Sequence, residues 1–369
     1  MSPGDTLRSV HVDTERTWGG GQRQVAWLAA GLARRGHPTW VVARRGSRYA
    51  EALRGSGVEV VPLDPLVEWD VGAAARIGLL ARRAGADLVV GHAAHAALLA
   101  AMATVRSGIA LVVTRRVALP LHRSPLSRWK HHRARRIIAV SQRVRDVLLA
   151  SGIGPDRVCI VYSGVDLTRP ACPAEPGTLR ALGLDPGSPV AVMVAALVPP
   201  HKDPATFVRA LAAARRGRPD LQGLIVGGGP LLSIASRMCR ELGLEDAVRL
   251  AGHREDAERL LAAAAVAVLS SRDEGLGTTL MDAMLWGIPV VATAAGGVPE
   301  VVRDGVDGLL SPPGDADALG RHLVVALNDT DLRARLVANA RERVADFSAE
   351  RMVDRTIEAY RDALYSAGC

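Results

Sequence analysis

Residues 270–293, SSRDEGLGTTLMDAMLWGIPVVAT, decide how this chain folds. The four residues before them, Val266, Ala267, Val268 and Leu269, form an uninterrupted apolar run, the pattern of a strand buried on both faces. Gly275 and Gly277 then open a tight turn, and Thr278 and Thr279 suit the first turn of a helix. Residues 280–286 favour helix. Gly287 stops it, Pro289 prevents its resumption, and Val290 and Val291 begin the next strand. A helix N-terminus behind a glycine loop presents unpaired backbone N–H groups and the positive end of a dipole, a site for an anion such as phosphate. Glu274 and Asp282, eight positions apart, bracket that site. Acids placed so are either solvated surface groups or acceptors for sugar hydroxyls beside a diphosphate, and spacing alone leaves both readings open.

A length of 369 residues suggests two domains. The apolar fraction of 49% permits full cores, but only 3% of residues are Phe, Trp or Tyr, so Leu, Val and Ala must fill them, as in an α/β protein. A net charge of +8 admits nucleic acid, an anionic membrane surface or phosphorylated substrates as partners. The basic residues are dispersed and few aromatics accompany them, which argues against nucleic acid. Cys159, Cys172, Cys239 and Cys369 lack the C-x-x-C spacing of a metal or redox site and read as free thiols of a reducing cytosol. Arg8, His11 and Asp13 interrupt any signal-peptide core, and no apolar window is long enough to span a bilayer. The expectation is a cytoplasmic protein, soluble or peripheral at the inner face of a membrane, with no metal and no cofactor.

The N-terminal pattern is a strand at 7–12, a polar loop, then Gly19, Gly20 and Gly21 leading into a helix that carries Val25, Leu28, Ala29 and Leu32, and a strand at 39–43. The triplet is not the dinucleotide G-x-G-x-x-G pattern. It reads as a permissive turn or as a backbone cradle for phosphate or a reacting sugar. A strand at 88–90 delivers His92 to its carboxyl end, where open α/β sheets bind ligands, and His95 starts an apolar helix. Thr114, Arg115 and Arg116 follow a strand at 110–113 and are either a phosphate clamp or part of a solvated basic surface. The densest basic run, SRWKHHRARR at 127–136, is a solvated helix face or a contact with anionic lipid anchored by Trp129. Pro170, Pro173, Pro176 and Gly177 mark a linker, after which a new sheet starts at 190–195. Lys202 lies in the loop after that strand, before a helix opened by Asp203 or Pro204. It is an exposed loop lysine or a cation for a leaving diphosphate.

These motifs, in this order, resemble the retaining glycosyltransferase family 4, which has the GT-B fold. Its pattern E-G-x-G-x-x-x-x-E-A-M-x-x-G-x-P-V-V-A-T stands here from Glu274 to Thr293, with Asp282 in place of the second Glu. The glycine triplet through His37 is similar to the family's G-G…L-A-x-G-L-A-x-R-G-H, and His92 falls in a segment like D-x-V-H-x-H. Residues 163–166 are similar to its N-G-V-D element. Lys202 matches the lysine of G-R-L-x-x-x-K-G, but Ala196 replaces the arginine and one residue is inserted. Gly252, His253 and Arg254 fall where the family's loop meets the nucleobase.

The resemblance implies two Rossmann-like domains facing an interdomain cleft. They would comprise an acceptor-binding domain at 1–169, a nucleotide-sugar-binding domain at 170–345, and a last helix at 346–369 that crosses back to the first. The implied reaction is transfer of a sugar, with retention, from a nucleoside-diphosphate sugar to a glycan or lipid-linked acceptor hydroxyl, in cell-envelope glycan or lipopolysaccharide synthesis. Within it Glu274 would bind donor-sugar hydroxyls, and Asp282 the ribose. Lys202 and the N–H groups of Gly275, Leu276, Gly277 and Thr278 would stabilise the diphosphate. His92, Gly19, Gly20 and Gly21 would line the reacting centre, with His95 and Arg115 as further substrate contacts. His253 and Arg254 would face the base. A nucleotide-sugar epimerase of the same fold and a non-catalytic partner subunit are the alternatives.

Overall fold

The structure is a computed structural model that describes residues 6–122 and 124–365; Cys369 lies outside the described residues. The chain forms two compact units, one made of Met1–Asp166 with Ser348–Cys369 and the other of Leu167–Phe347. Arg169 therefore goes with the second unit.

Unit 1 is built on seven strands: β1 (Ser9–Asp13), β2 (Thr39–Ala43), β3 (Glu59–Pro62), β4 (Leu88–Gly91), β5 (Ala110–Arg115), β6 (Arg136–Ala139) and β7 (Val158–Ile160). All pair in parallel in the order β3-β2-β1-β4-β5-β6-β7. Every residue of β1 and β4 is buried, as expected when helices cover both faces of a parallel sheet. The sheet grows one way from β1 and the other way from β4, so the loops after these two strands flank a topological switch point, where open α/β sheets take their ligands. The glycine triplet is not a turn. Gly19 caps helix Gly20–Arg34 in extended backbone, and Gly20 and Gly21 are its first residues.

The chain leaves and re-enters unit 1 side by side. Val165 and Ser348 form a parallel bridge, and the Ala349 N–H donates to the Val165 carbonyl at 2.8 Å. Gly164 is required there, because a Cβ would stand 2.6 Å from Cα of Ala349. The buried Gln24 side chain holds the same glycine from the other side, donating to its carbonyl (2.7 Å) and accepting from its N–H (2.8 Å). Helix Ala349–Tyr365 then packs on helix Gly20–Arg34, with Val353 and Tyr360 fully buried.

Unit 2 has six parallel strands, β8 (Val190–Val194), β9 (Gln222–Val226), β10 (Val248–Gly252), β11 (Val266–Leu269), β12 (Val290–Thr293) and β13 (Leu309–Ser311), in the order β10-β9-β8-β11-β12-β13. Its switch point lies between β8 and β11. Helix Pro204–Ala214 begins as its sequence demands: Pro204 needs no N–H in the first turn, and Asp203 accepts from the Thr206 N–H (3.0 Å) and hydroxyl (2.8 Å). Pro176, expected in the linker, starts helix Pro176–Ala181 for the same reason. Among the described residues no helix is long and apolar enough to cross a membrane.

Candidate functional site

In unit 2 the loops that follow β8 and β11 come together at the switch point. Lys202 and Ser271 form an antiparallel bridge, and the Lys202 ammonium pairs with the Glu274 carboxylate. Both side chains are about five-sixths buried, at 16% exposure each, so the pair is little screened by water yet open to a ligand. Glu274 also accepts from the Ser271 hydroxyl (3.3 Å) and from the Gly275 N–H (3.2 Å). Gly277 then turns the chain into helix Thr278–Leu285 with φ +87°, in the left-handed region that a Cβ disfavours. Gly275, Leu276 and Gly277 are buried, whereas Thr278 and Thr279 are half-buried at the head of the helix. The first N–H groups of a helix have no partner within it, so this end offers donors and partial positive charge beside Lys202.

Asp282 is not a solvated acid. It is 2% exposed, and its carboxylate accepts from Arg169 Nη1 at 2.8 Å. Arg169 also pairs with Glu258 and lies over the Trp286 ring, 5.2 Å from its centroid. Nothing in the spacing of residues 270–293 announces this arginine. Around the end of β10, His253 is exposed, while Arg254 is spent on a bidentate pair with Asp256, at 2.7 and 2.8 Å. The Arg254 guanidinium thus already has a planar carboxylate partner two residues away.

In unit 1, His92 follows β4 and is 4% exposed. Its Nε2 lies 2.8 Å from Nδ1 of His11 on β1, and its Nδ1 lies 3.4 Å from Arg116 Nη2. Burial, then His11, then Arg116 hold its pKa well below the ordinary imidazole value; burial and then Arg116 push that of His11 down to about 3. Gly21 faces Arg116, whose Cδ would be in ordinary contact, 3.7 Å, with a Cβ at that position. Arg115, the arginine singled out from sequence, instead donates to the Leu119 carbonyl at 2.7 Å along its own loop. His95 lies 3.3 Å from the Thr14 hydroxyl and 3.2 Å from the Val67 carbonyl. Sequence reading missed His11, Asp13 and Arg116 as a group. The Tyr49 hydroxyl donates to the buried Asp13 at 2.8 Å, and Asp13 offsets the charge of Arg116.

The basic run begins on helix Pro125–Arg133 and ends at Arg136, the first residue of β6, but much of its charge is spent on structure. Lys130 donates to the Ala94 carbonyl (2.6 Å), Arg133 to that of Thr104 (2.5 Å), and Arg136 pairs with Asp362 (3.0 Å). Arg128 and His132 remain exposed, with Leu126 and Trp129. Among the described residues no cluster of three or more His, Cys, Asp or Glu side chains is placed to hold a metal ion.

The chain is similar to known proteins along most of its described length. The family described as Glycosyltransferase Family 4 matches residues 18–169, and that described as Glycosyl transferases group 1 matches residues 178–343. The chain is 36% identical over 225 residues to the D-inositol 3-phosphate glycosyltransferase of Saccharomonospora viridis, covering 57% of this chain and 51% of that protein. It is 32% identical over 146 residues to the N-acetyl-alpha-D-glucosaminyl L-malate synthase of Bacillus anthracis, covering 39% and 38%. The chain thus spans about half the length of the first of these relatives, and less of the second. Among solved structures, Anabaena HepE in complex with UDP-glucose superposes with a TM-score of 0.81 at 22% identity, over 96% of this chain and 100% of that one.

Proposed function

Because this chain belongs to the glycosyltransferase family 4, with the GT-B fold, we propose that it transfers a hexose-type sugar, with retention, from a nucleoside diphosphate to an acceptor hydroxyl. The observation that carries this reading is the meeting of Lys202 and Glu274 at the head of helix Thr278–Leu285. As the bond from the anomeric carbon to the diphosphate breaks, negative charge grows on the leaving phosphate oxygen. A fixed ammonium and unpaired helix N–H groups stabilise that charge without reorganising, and the partial burial of the pair strengthens the effect. Glu274, which only accepts when ionised, takes the hydroxyls of the donor sugar. Lys202, paired with Glu274, is assigned to the diphosphate. In unit 1, His92 is assigned to a hydroxyl of the reacting sugar, with Gly19–Gly21 and His95 beside it, and the unit as a whole to the acceptor. An envelope-glycan or lipid-linked acceptor, met at the inner face of a membrane, is supported by Leu126, Trp129, Arg128 and His132, which are exposed on one short helix.

Thermal shift against nucleoside diphosphates and their sugars tests the donor assignment. A ligand at 100 times its dissociation constant adds about 2.7 kcal/mol, so one base is expected to raise the midpoint clearly, and Lys202→Ala to weaken that shift. No shift with any of them, in a chain with Ala196 where the family has arginine, would leave a non-catalytic family member as the reading.

Asp282 is assigned to the ribose, with Arg169 holding its carboxylate in place. Wild type is then expected to bind a nucleoside diphosphate more tightly than its 2′-deoxy analogue, by about tenfold or more for one hydrogen bond to a charged group. Asp282→Ala should abolish the preference. A preference that survives the substitution would reduce Asp282 to the buried partner of Arg169.

A further inference from the structure

We infer that His11 is a positioning residue: with Ser9 behind it, it fixes the tautomer of His92 so that His92 presents Nδ1, as a hydrogen-bond acceptor, to a hydroxyl group. Four groups stand in line. Ser9 Oγ lies 3.0 Å from His11 Nε2, His11 Nδ1 lies 2.8 Å from His92 Nε2, and His92 Nδ1 lies 3.4 Å from Arg116 Nη2. A guanidinium can only donate, so it sets the direction of the whole row. His92 Nδ1 must accept. A neutral imidazole has one donor and one acceptor nitrogen, so His92 Nε2 carries the proton and donates to His11 Nδ1. His11 Nε2 then carries its own proton and donates to Ser9 Oγ. The other tautomer of His92 would put an N–H against the N–H of Arg116.

The surroundings keep both rings neutral. His11 is completely buried and His92 nearly so, and their rings lie within 9° of parallel. Arg116 is the nearest charge. Tyr360, from helix Ala349–Tyr365, faces His11 with ring centroids 6.2 Å apart, while Asp13 and Tyr49 lie toward Arg116. A second proton on either imidazole would face Arg116 with almost no water to screen it. The bond from Arg116 is the longest of the row, so it is the one a substrate hydroxyl can replace. His11 and Ser9 hold the opposite side of the ring.

What the presented nitrogen does for turnover rests on the proposed transferase reading; the tautomer itself does not. The test therefore has two readouts on the full chain. In ¹⁵N-histidine NMR from pH 8 to pH 6, His92 and His11 should each show an unprotonated Nδ1 and a protonated Nε2, without titrating. The opposite tautomer, or an imidazolium appearing in that range, would overturn the inference. His11→Asn places an amide oxygen near the position of Nδ1 and keeps an acceptor for His92, whereas His11→Phe keeps bulk and removes it. With a donor sugar that supports turnover, His11→Phe should lower kcat by about tenfold, the scale of one hydrogen bond, with KM little changed, and His11→Asn should restore most of it. Equal loss in both variants would reduce His11 to packing and overturn the inference. If no donor supports turnover, the transferase reading fails on its own. Loss of the single His92 tautomer in His11→Phe, and its retention in His11→Asn, then still decides the role of His11.

Discussion

Lys202→Ala is expected to lower kcat/KM for the nucleotide sugar by about 10²–10³, the loss seen when one fixed donor to a developing oxyanion is removed. The argument rests on placement. Lys202 is held by the backbone bridge to Ser271 and by Glu274, so its ammonium meets the diphosphate with little left to reorganise. The fold should survive. Without Lys202, Glu274 still accepts from Ser271 and Gly275, which hold its carboxylate in place. Glu274→Gln should cost a similar factor, because the neutral amide neither pairs with Lys202 nor accepts at both of its ends. Since each residue orients the other, the double variant should lose much less than the product of the two single losses. Steady-state kinetics on the three variants, with circular dichroism to confirm folding, decides the matter. Single variants within threefold of wild type would remove both residues from the site.

The second large effect is on stability against acid. His11 and His92 are neutral in the folded state, their pKa values lowered first of all by burial, whereas in the unfolded chain each titrates near 6.5. The unfolded state therefore binds more protons than the folded state wherever the pH lies below 6.5 and above the folded values. The stability that depends on neutral histidine is complete above pH 6.5 and is lost as the pH falls. Each such proton costs about 1.4 kcal/mol per pH unit, so His11 alone, pushed down to about 3, removes about 3 kcal/mol over two units, and His92 adds in the same direction. His131, lowered to about 4 chiefly by burial, adds in the same direction, while Glu15, raised by burial, opposes it. The urea midpoint of unit 1 should fall steeply between pH 7.5 and pH 4.5, and replacing His11 with Asn should flatten the dependence. An unchanged midpoint over that range would show that the two histidines are not kept neutral.

How much of this was legible beforehand varied residue by residue. The apolar run at 266–269, the stop at Gly287 and the restart at Val290 were read correctly, because an apolar run, a helix stop and a proline are properties of a few consecutive residues. The helix start at Pro204 was equally plain. Asp282 was ambiguous, because the direction of a carboxylate on an eight-residue helix depends on what covers that face, and the cover is Arg169. Arg115 and Arg116, adjacent at a strand end, cannot be told apart without knowing where the strand stops. β5 runs through Arg115, and it is Arg116 that reaches His92. The glycine triplet admits a turn or a backbone cradle because glycine permits both; in the fold it supplies the cap and opening residues of a helix.

The order of strands and helices, the two-sheet α/β class, the family and the position of the loop before helix Thr278–Leu285 were thus determined by the sequence itself, since each is written in consecutive residues. Which side chains share a site was decided only by the tertiary structure. Lys202 meets Glu274 across 72 positions, His11 meets His92 across 81, and Arg169 reaches Asp282 across 113. The physical reason for the first two lies in the parallel sheet. A crossover helix separates successive strands, so the neighbours of a loop are set by strand order. At each switch point, β1 beside β4 and β8 beside β11, that order departs from the order of the chain.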